Sequence, residues 1–142
     1  MSIQIVMMLP PEAASVPMAR HTLAEALNVA GVAPDCIDEA KVALSEACTN
    51  VYRHVGDTHS FEVLINVGEV NLTMHILDAG PGFALAHQLP DWPDHAAEDG
   101  RGLALMTALT DDATFESDGG GGSVRLTKRL RWRTPAGVSA PA

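Results

Sequence analysis

Apolar positions along the chain alternate between two periods, and the changes of period mark its elements. Ile3 to Leu9 is a short β-prone run halted by Pro10-Pro11, which predicts an edge strand, since proline cannot serve an interior ladder. Val16, Ala19, Leu23, Ala26, Leu27 and Ala30 then recur at helical spacing, with Ser15 as N-cap, Pro17 in the first turn and Gly31 as the stop. Pro34 opens a longer helix to about Val55-Gly56, with Asp35, Asp38 and Glu39 early, where negative charge suits the dipole, and an apolar stripe of Ile37, Ala40, Leu44, Cys48, Val51 and Val55. Period two returns at Phe61, Val63, Ile65 and Val67, turns at Gly68-Glu69 and continues through Leu72, Met74 and Ile76, an antiparallel hairpin.

The stretch from Phe83 to Gly100 holds no period and is longer than a passive loop, so it reads as a lid. A third helix is expected over Leu103–Leu109, a strand over Ala113–Ser117, and a last strand carrying Val124, Leu126 and Leu130 after the run Gly119 to Gly122. The order β, α, α, β, β, lid, α, β, β predicts an α+β two-layer sandwich: a mixed, mostly antiparallel sheet with helices on one face. Residues 1–133 would form one domain and 134–142, rich in Pro, Ala and Gly, a disordered tail.

Composition narrows the partners. The 142 residues carry nine Lys+Arg against eighteen Asp+Glu, a net charge of −9, and a field of that sign repels phosphate backbones and anionic headgroups. Direct nucleic-acid and membrane binding are therefore not expected. Cys36 and Cys48 have no CxxC spacing, the N-terminus lacks a basic leader, and its apolar run is too short for a bilayer, so a cytoplasmic protein is expected. The six histidines fall on different elements without an H-x-x-x-H pair, which does not suggest a metal site. Arg125, Lys128, Arg129, Arg131 and Arg133 gather near the C-terminus; they read either as protection of an exposed edge strand or as a surface for an acidic partner or second copy.

Three segments carry candidate chemistry. Glu46, Asn50 and His54, at i, i+4 and i+8, form a polar stripe turned away from the apolar seam of the second helix; alone, that stripe is also what a solvated face looks like. Asp78 continues the inward parity of Leu72, Met74 and Ile76, so its carboxylate faces the core side at a strand end and needs a donor. Ala79-Gly80-Pro81-Gly82-Phe83 follows, either a tight turn or glycines that admit a ligand close to the backbone. Neither a dinucleotide fingerprint nor a P-loop is present. Asp99-Gly100-Arg101-Gly102-Leu103 opens the third helix, where free N–H groups stand beside an arginine, an anion site or a surface ion pair with a lid acid.

In this order, ALSEACTNVYRHV, LDAGPGF, EDGRGLALM and GGSVRLTKRL resemble the N, G1, G2 and final-strand boxes of GHKL-type, histidine-kinase-like ATP-binding domains, and within them the small bacterial anti-sigma factor serine/threonine kinases. The resemblance implies ATP and Mg²⁺ as cofactors. It implies Glu46 as general base, Asn50 as the magnesium ligand, Asp78 as acceptor for the adenine amine, and Gly80, Gly82, Gly100, Arg101, Gly102 and Leu103 as backbone and phosphate contacts. The family's glycine-threonine pair corresponds to Gly122-Ser123, keeping a hydroxyl. An anti-anti-sigma protein as substrate, a sigma factor as sequestered partner and a homodimer are implied in the same way. Two other readings stand beside this one: a nucleotide-gated protein that sequesters its partner without phosphorylating it, and an ATP-binding module detached from a sensor histidine kinase.

Overall fold

Seven apolar or uncharged residues make strand β1, Ile3–Leu9, at one margin of a five-stranded sheet. The computed structural model describes residues 2–55, 60–78, 100–118 and 121–134. Helices α1 (Ser15–Ala30) and α2 (Pro34–Val55) follow β1. The hairpin of β2 (Phe61–Val67) and β3 (Asn71–Asp78) comes next, then helix α3 (Gly100–Leu109) and a second hairpin of β4 (Asp112–Asp118) and β5 (Gly121–Arg129). The sheet order is β1-β2-β3-β5-β4, and every neighbouring pair is antiparallel. The α+β two-layer architecture is as expected, and the mixed sheet resolves into an antiparallel one.

Alternation along the strands decides which face is covered. Phe61, Val63, Ile65 and Val67 of β2, Leu72, Met74 and Ile76 of β3, and Val124 and Leu126 of β5 are buried against Leu23, Leu27, Leu44, Cys48 and Met106 of the helices. The opposite parity, including Val6 and Met8, stays exposed. Gly31 ends α1 in the left-handed region at φ 97°, its N–H donating to the carbonyls of Leu27 and Asn28. Ser15 is the first helical residue, and its hydroxyl turns back to donate to the Pro10 carbonyl at 2.8 Å instead of capping the helix. At the β2–β3 turn the Gly68 N–H donates to the Asn71 carbonyl, and a Cβ at 68 would stand 3.2 Å from that oxygen, hence glycine.

The C-terminal basic strand departs from expectation. β5 lies between β3 and β4, so it is interior and needs no edge protection. Lys128 points inward with only 4% exposure and pairs with Glu39, while Arg131 reaches Asp35 and Glu39. The acidic partner of these two bases is therefore the start of α2 in the same chain. Beyond β5, a bridge between Val32 and Trp132 and a bond from the Arg133 N–H to the Gly31 carbonyl tie the chain to the α1–α2 link. Residues 135–142 of the expected tail lie outside the described residues, as do Gly80, Gly82 and 83–99 of the expected lid.

Candidate functional site

The chemistry-bearing residues lie on α2, at the end of β3 and in the first turn of α3. Near the start of α2 the Cys36 Sγ lies 3.9 Å from the Arg129 carbonyl oxygen, and Arg129 pairs with Asn71, the first residue of β3. From that shared origin, α2 rises about 21 Å to Asn50 and β3 extends about 23 Å to Asp78. Asp78 is buried on the inner parity, as its place in the alternation predicted. Glu46 and Asn50 are half-buried; they share a face because four residues return about one turn of helix.

Helix α3 closes the other side. It runs antiparallel to α2: its first turn meets Glu46, and its last carbonyl, Leu109, accepts from Lys128, which also donates to Glu39. The spacing agrees, since about 10 Å of helix separates Glu39 from Glu46 and Leu109 from Gly102 alike. At the first turn the approach is close: a Cβ at position 102 would stand 3.0 Å from Glu46 Oε1. Glycine there lets the carboxylate lie close against the helix backbone; a methyl group would make it shift. α3 begins at Gly100, earlier than the expected Leu103, so Gly100, Arg101 and Gly102 are its first turn. The first four N–H groups of a helix have no intrahelical acceptor, and this end carries partial positive charge. The arrangement suits anionic oxygens.

On its other flank Glu46 borders an open surface cavity of about 420 Å³, lined also by Arg20, Asp38, Lys41, Val42 and Ser45. Arg20 of α1 donates to the Ser45 hydroxyl of α2 at 3.3 Å, which fixes the rim between the two helices. Titratable groups elsewhere are shifted by their surroundings. Hydrogen bonds from Lys128 and then Arg131 hold the Glu39 carboxyl below its ordinary 4.5. Burial pushes the Cys48 thiol up to about 12, which keeps it protonated and unreactive.

Gly102, in the first turn of α3 with Gly100, Arg101 and Leu103, is thus brought against Glu46, one helical turn from Asn50, and Asp78 is buried at the end of β3, whereas Ser123 is turned from the covered face. Ser123 pairs with Leu77 and Glu116 on the parity opposite to buried Val124, and so sits on the uncovered side of the sheet. Its neighbour Gly122 is buried, on the inner parity shared with Val124. The Ser123 hydroxyl is therefore turned from the face that buries Asp78. Two residues escaped the sequence reading, Lys128 and its partner Glu39. The signal was present, because Val124, Leu126 and Leu130 set an inward parity to which 128 belongs. Among the described residues no cluster of three or more His, Cys, Asp or Glu could hold a metal, and no helix is long and apolar enough to cross a membrane.

The sequence profile of the histidine kinase-like ATPase domain matches residues 9–128, from the end of β1 through Lys128. The chain belongs to that family. It is similar to the serine-protein kinase RsbW of Bacillus cereus (strain AH187), 30% identical over 138 residues, covering 90% of this chain and 86% of the relative. The RsbW of Bacillus thuringiensis (strain Al Hakam) matches with the same identity and coverage. Both relatives are named as serine-protein kinases. The fold is also that of the RsbU and RsbW domains of Rv1364c from Mycobacterium tuberculosis, with a TM-score of 0.65 at 22% identity over 93% of this chain; the match spans 35% of that chain. The SiaB-SiaC complex from Pseudomonas aeruginosa contains the fold too, with a TM-score of 0.59 at 16% identity, covering 87% of this chain and 88% of that one. An ATPase domain of the histidine-kinase-like class follows from the family.

Proposed function

We propose that the chain is an ATP-dependent protein serine/threonine kinase acting as an anti-sigma factor, which phosphorylates an anti-anti-sigma protein and sequesters a sigma factor. The observation that carries this reading is the Glu46 carboxylate held against the first turn of α3, one helical turn from Asn50. A general base must lie within hydrogen-bond reach of the hydroxyl it deprotonates and beside the phosphoryl group that is attacked. The open cavity on the far flank of Glu46 gives a protein serine or threonine a route to it.

In this mechanism Glu46 accepts the hydroxyl proton as the oxygen attacks the γ-phosphorus, and ADP leaves. Asn50 offers a hard amide oxygen beside the phosphates, a suitable ligand for Mg²⁺, which when bound neutralises charge developing on them. Asp78 accepts from the adenine exocyclic amine, a buried carboxylate meeting a complementary donor. Gly80 and Gly82 let the backbone lie close to the nucleotide. The N–H groups of Gly100 to Leu103 and the Arg101 guanidinium hold phosphate oxygens. Ser123, on the uncovered face, has no part in this scheme. The serine kinases named RsbW support the reaction class, and the SiaB-SiaC complex supports recognition of a second protein by this fold. We place the protein in the cytoplasm, as a homodimer.

Incubation with Mg·ATP and candidate anti-anti-sigma proteins, followed by intact mass, tests the proposal. One added phosphate on the partner is expected. Glu46→Ala should keep ATP affinity by calorimetry and lose about 100-fold or more in transfer rate, the usual contribution of a general base. Transfer at the wild-type rate would remove Glu46 from that role. A tight nucleotide-dependent complex without added phosphate would favour partner sequestration alone, and phosphohistidine on the partner would point to a detached histidine-kinase module.

A further inference from the structure

Lys128 is a charged side chain, 4% exposed, one residue before the end of β5, and its inward neighbours Leu126 and Leu130 are apolar. A lone buried ammonium is costly, and such groups persist only when paired and hydrogen-bonded. Its Nζ donates at 2.7 Å to Glu39 Oε1 of α2 and at 2.7 Å to the carbonyl of Leu109, the last residue of α3. The second bond matters more here. The last carbonyls of a helix lack intrahelical donors and carry partial negative charge, so a cation from the sheet both satisfies and attracts that end. Just beyond it, the Asp111 N–H donates to the Thr127 carbonyl and the Asp111 carboxylate accepts from the Arg129 N–H at 2.5 Å, so the chain leaving α3 is fastened to the same strand.

The opposite end of α3 is the turn that meets Glu46. A ten-residue helix is about 15 Å long, so its N-terminal turn is placed by how its far end is held. We propose that Lys128 is a positioning residue, anchoring the C-terminus of α3 to the central sheet so that Gly102 stays against Glu46. Glu39 balances its charge, and the Leu109 carbonyl receives its hold. This inference rests on the proposed kinase reading for its effect on rate, but the anchor itself is measurable without activity.

The test compares Lys128→Met, which keeps the aliphatic stem and removes the ammonium, with Glu39→Gln, which keeps an acceptor for Nζ. Amide exchange across 100–109 in the free protein should quicken about tenfold or more in Lys128→Met, while α1 changes little. Transfer rate should fall about tenfold or more with ATP affinity within about threefold, because misplacement of a catalytic carboxylate costs turnover before binding. Glu39→Gln should lose stability yet keep its rate within about twofold, and Lys128→Arg should restore part of the lost rate. Unchanged exchange in α3 overturns the anchor, and so does an equal rate loss in both variants, since a general loss of stability would then suffice. The wild-type protein supplies a check that needs no variant: a sheltered, hydrogen-bonded Lys128 ammonium gives a ¹⁵N signal at neutral pH, and its absence overturns the anchor. A wild-type chain that transfers no phosphate would sink the kinase reading, with the exchange comparison still deciding the anchor.

Discussion

Gly102 shows how one missing side chain can set a site. A methyl group there would stand 3.0 Å from Glu46 Oε1, tighter than ordinary contact, so the carboxylate would have to swing aside. The same change raises helix propensity by about 1 kcal/mol. Gly102→Ala should therefore leave the thermal midpoint unchanged or higher while lowering phosphoryl transfer about tenfold, two measurements moving in opposite directions. A joint fall would mean that the methyl disturbs the packing of α3 and not the carboxylate alone. Asp78 was legible from sequence because parity alone fixes its side once Leu72, Met74 and Ile76 are known to face the core. Parity from Val124 likewise turns Ser123 outward, although its motif resemblance says nothing about which face it takes.

Among the elements, α2 serves two faces at once. Its apolar stripe, with Ala40, Leu44, Cys48 and Val51 fully or almost fully buried, packs on the sheet, and Glu46 and Asn50 lie on another face toward α3. Both faces were readable from the 3.6-residue period. Removing the bulk of Leu44, which has no exposure, should destabilise the fold by about 2–5 kcal/mol through lost burial and a residual cavity. Urea unfolding of Leu44→Ala checks this; a loss under about 1 kcal/mol would mean the site can collapse around the smaller side chain. β5 was the element least legible. Its alternating bases suggested an exposed edge, but strand order is a long-range property, and β3 and β4 flank it on both sides. Only that placement makes Lys128 an interior group instead of a surface charge.

At the level of the molecule, the cluster of Glu39, Lys128 and Arg131 joins α2, the sheet and the C-terminal segment, and it makes stability depend on pH. The Glu39 carboxyl titrates below its ordinary 4.5 because Lys128 and Arg131 bond its charged form. A depressed folded-state value contributes stability that is present above the unfolded value and is lost as pH falls from about 4.5 through the folded one. Glu39→Gln should thus be less stable than wild type near neutral pH, with the gap closing under acid conditions, as read from urea midpoints against pH. A gap that is constant across the range would assign the effect to packing instead of charge.

The sequence by itself determined the periods, and through them the helices, the two hairpins, the buried faces and the inward turn of Asp78, because each depends on local geometry repeated every two or 3.6 residues. It also carried the family, since the four boxes are contiguous strings. Tertiary structure alone decided that β5 is interior, that Lys128 ties α3 to Glu39 and that Gly102 lies against Glu46. Those outcomes join residues far apart in the chain, and no local period encodes which distant strand or helix becomes a neighbour.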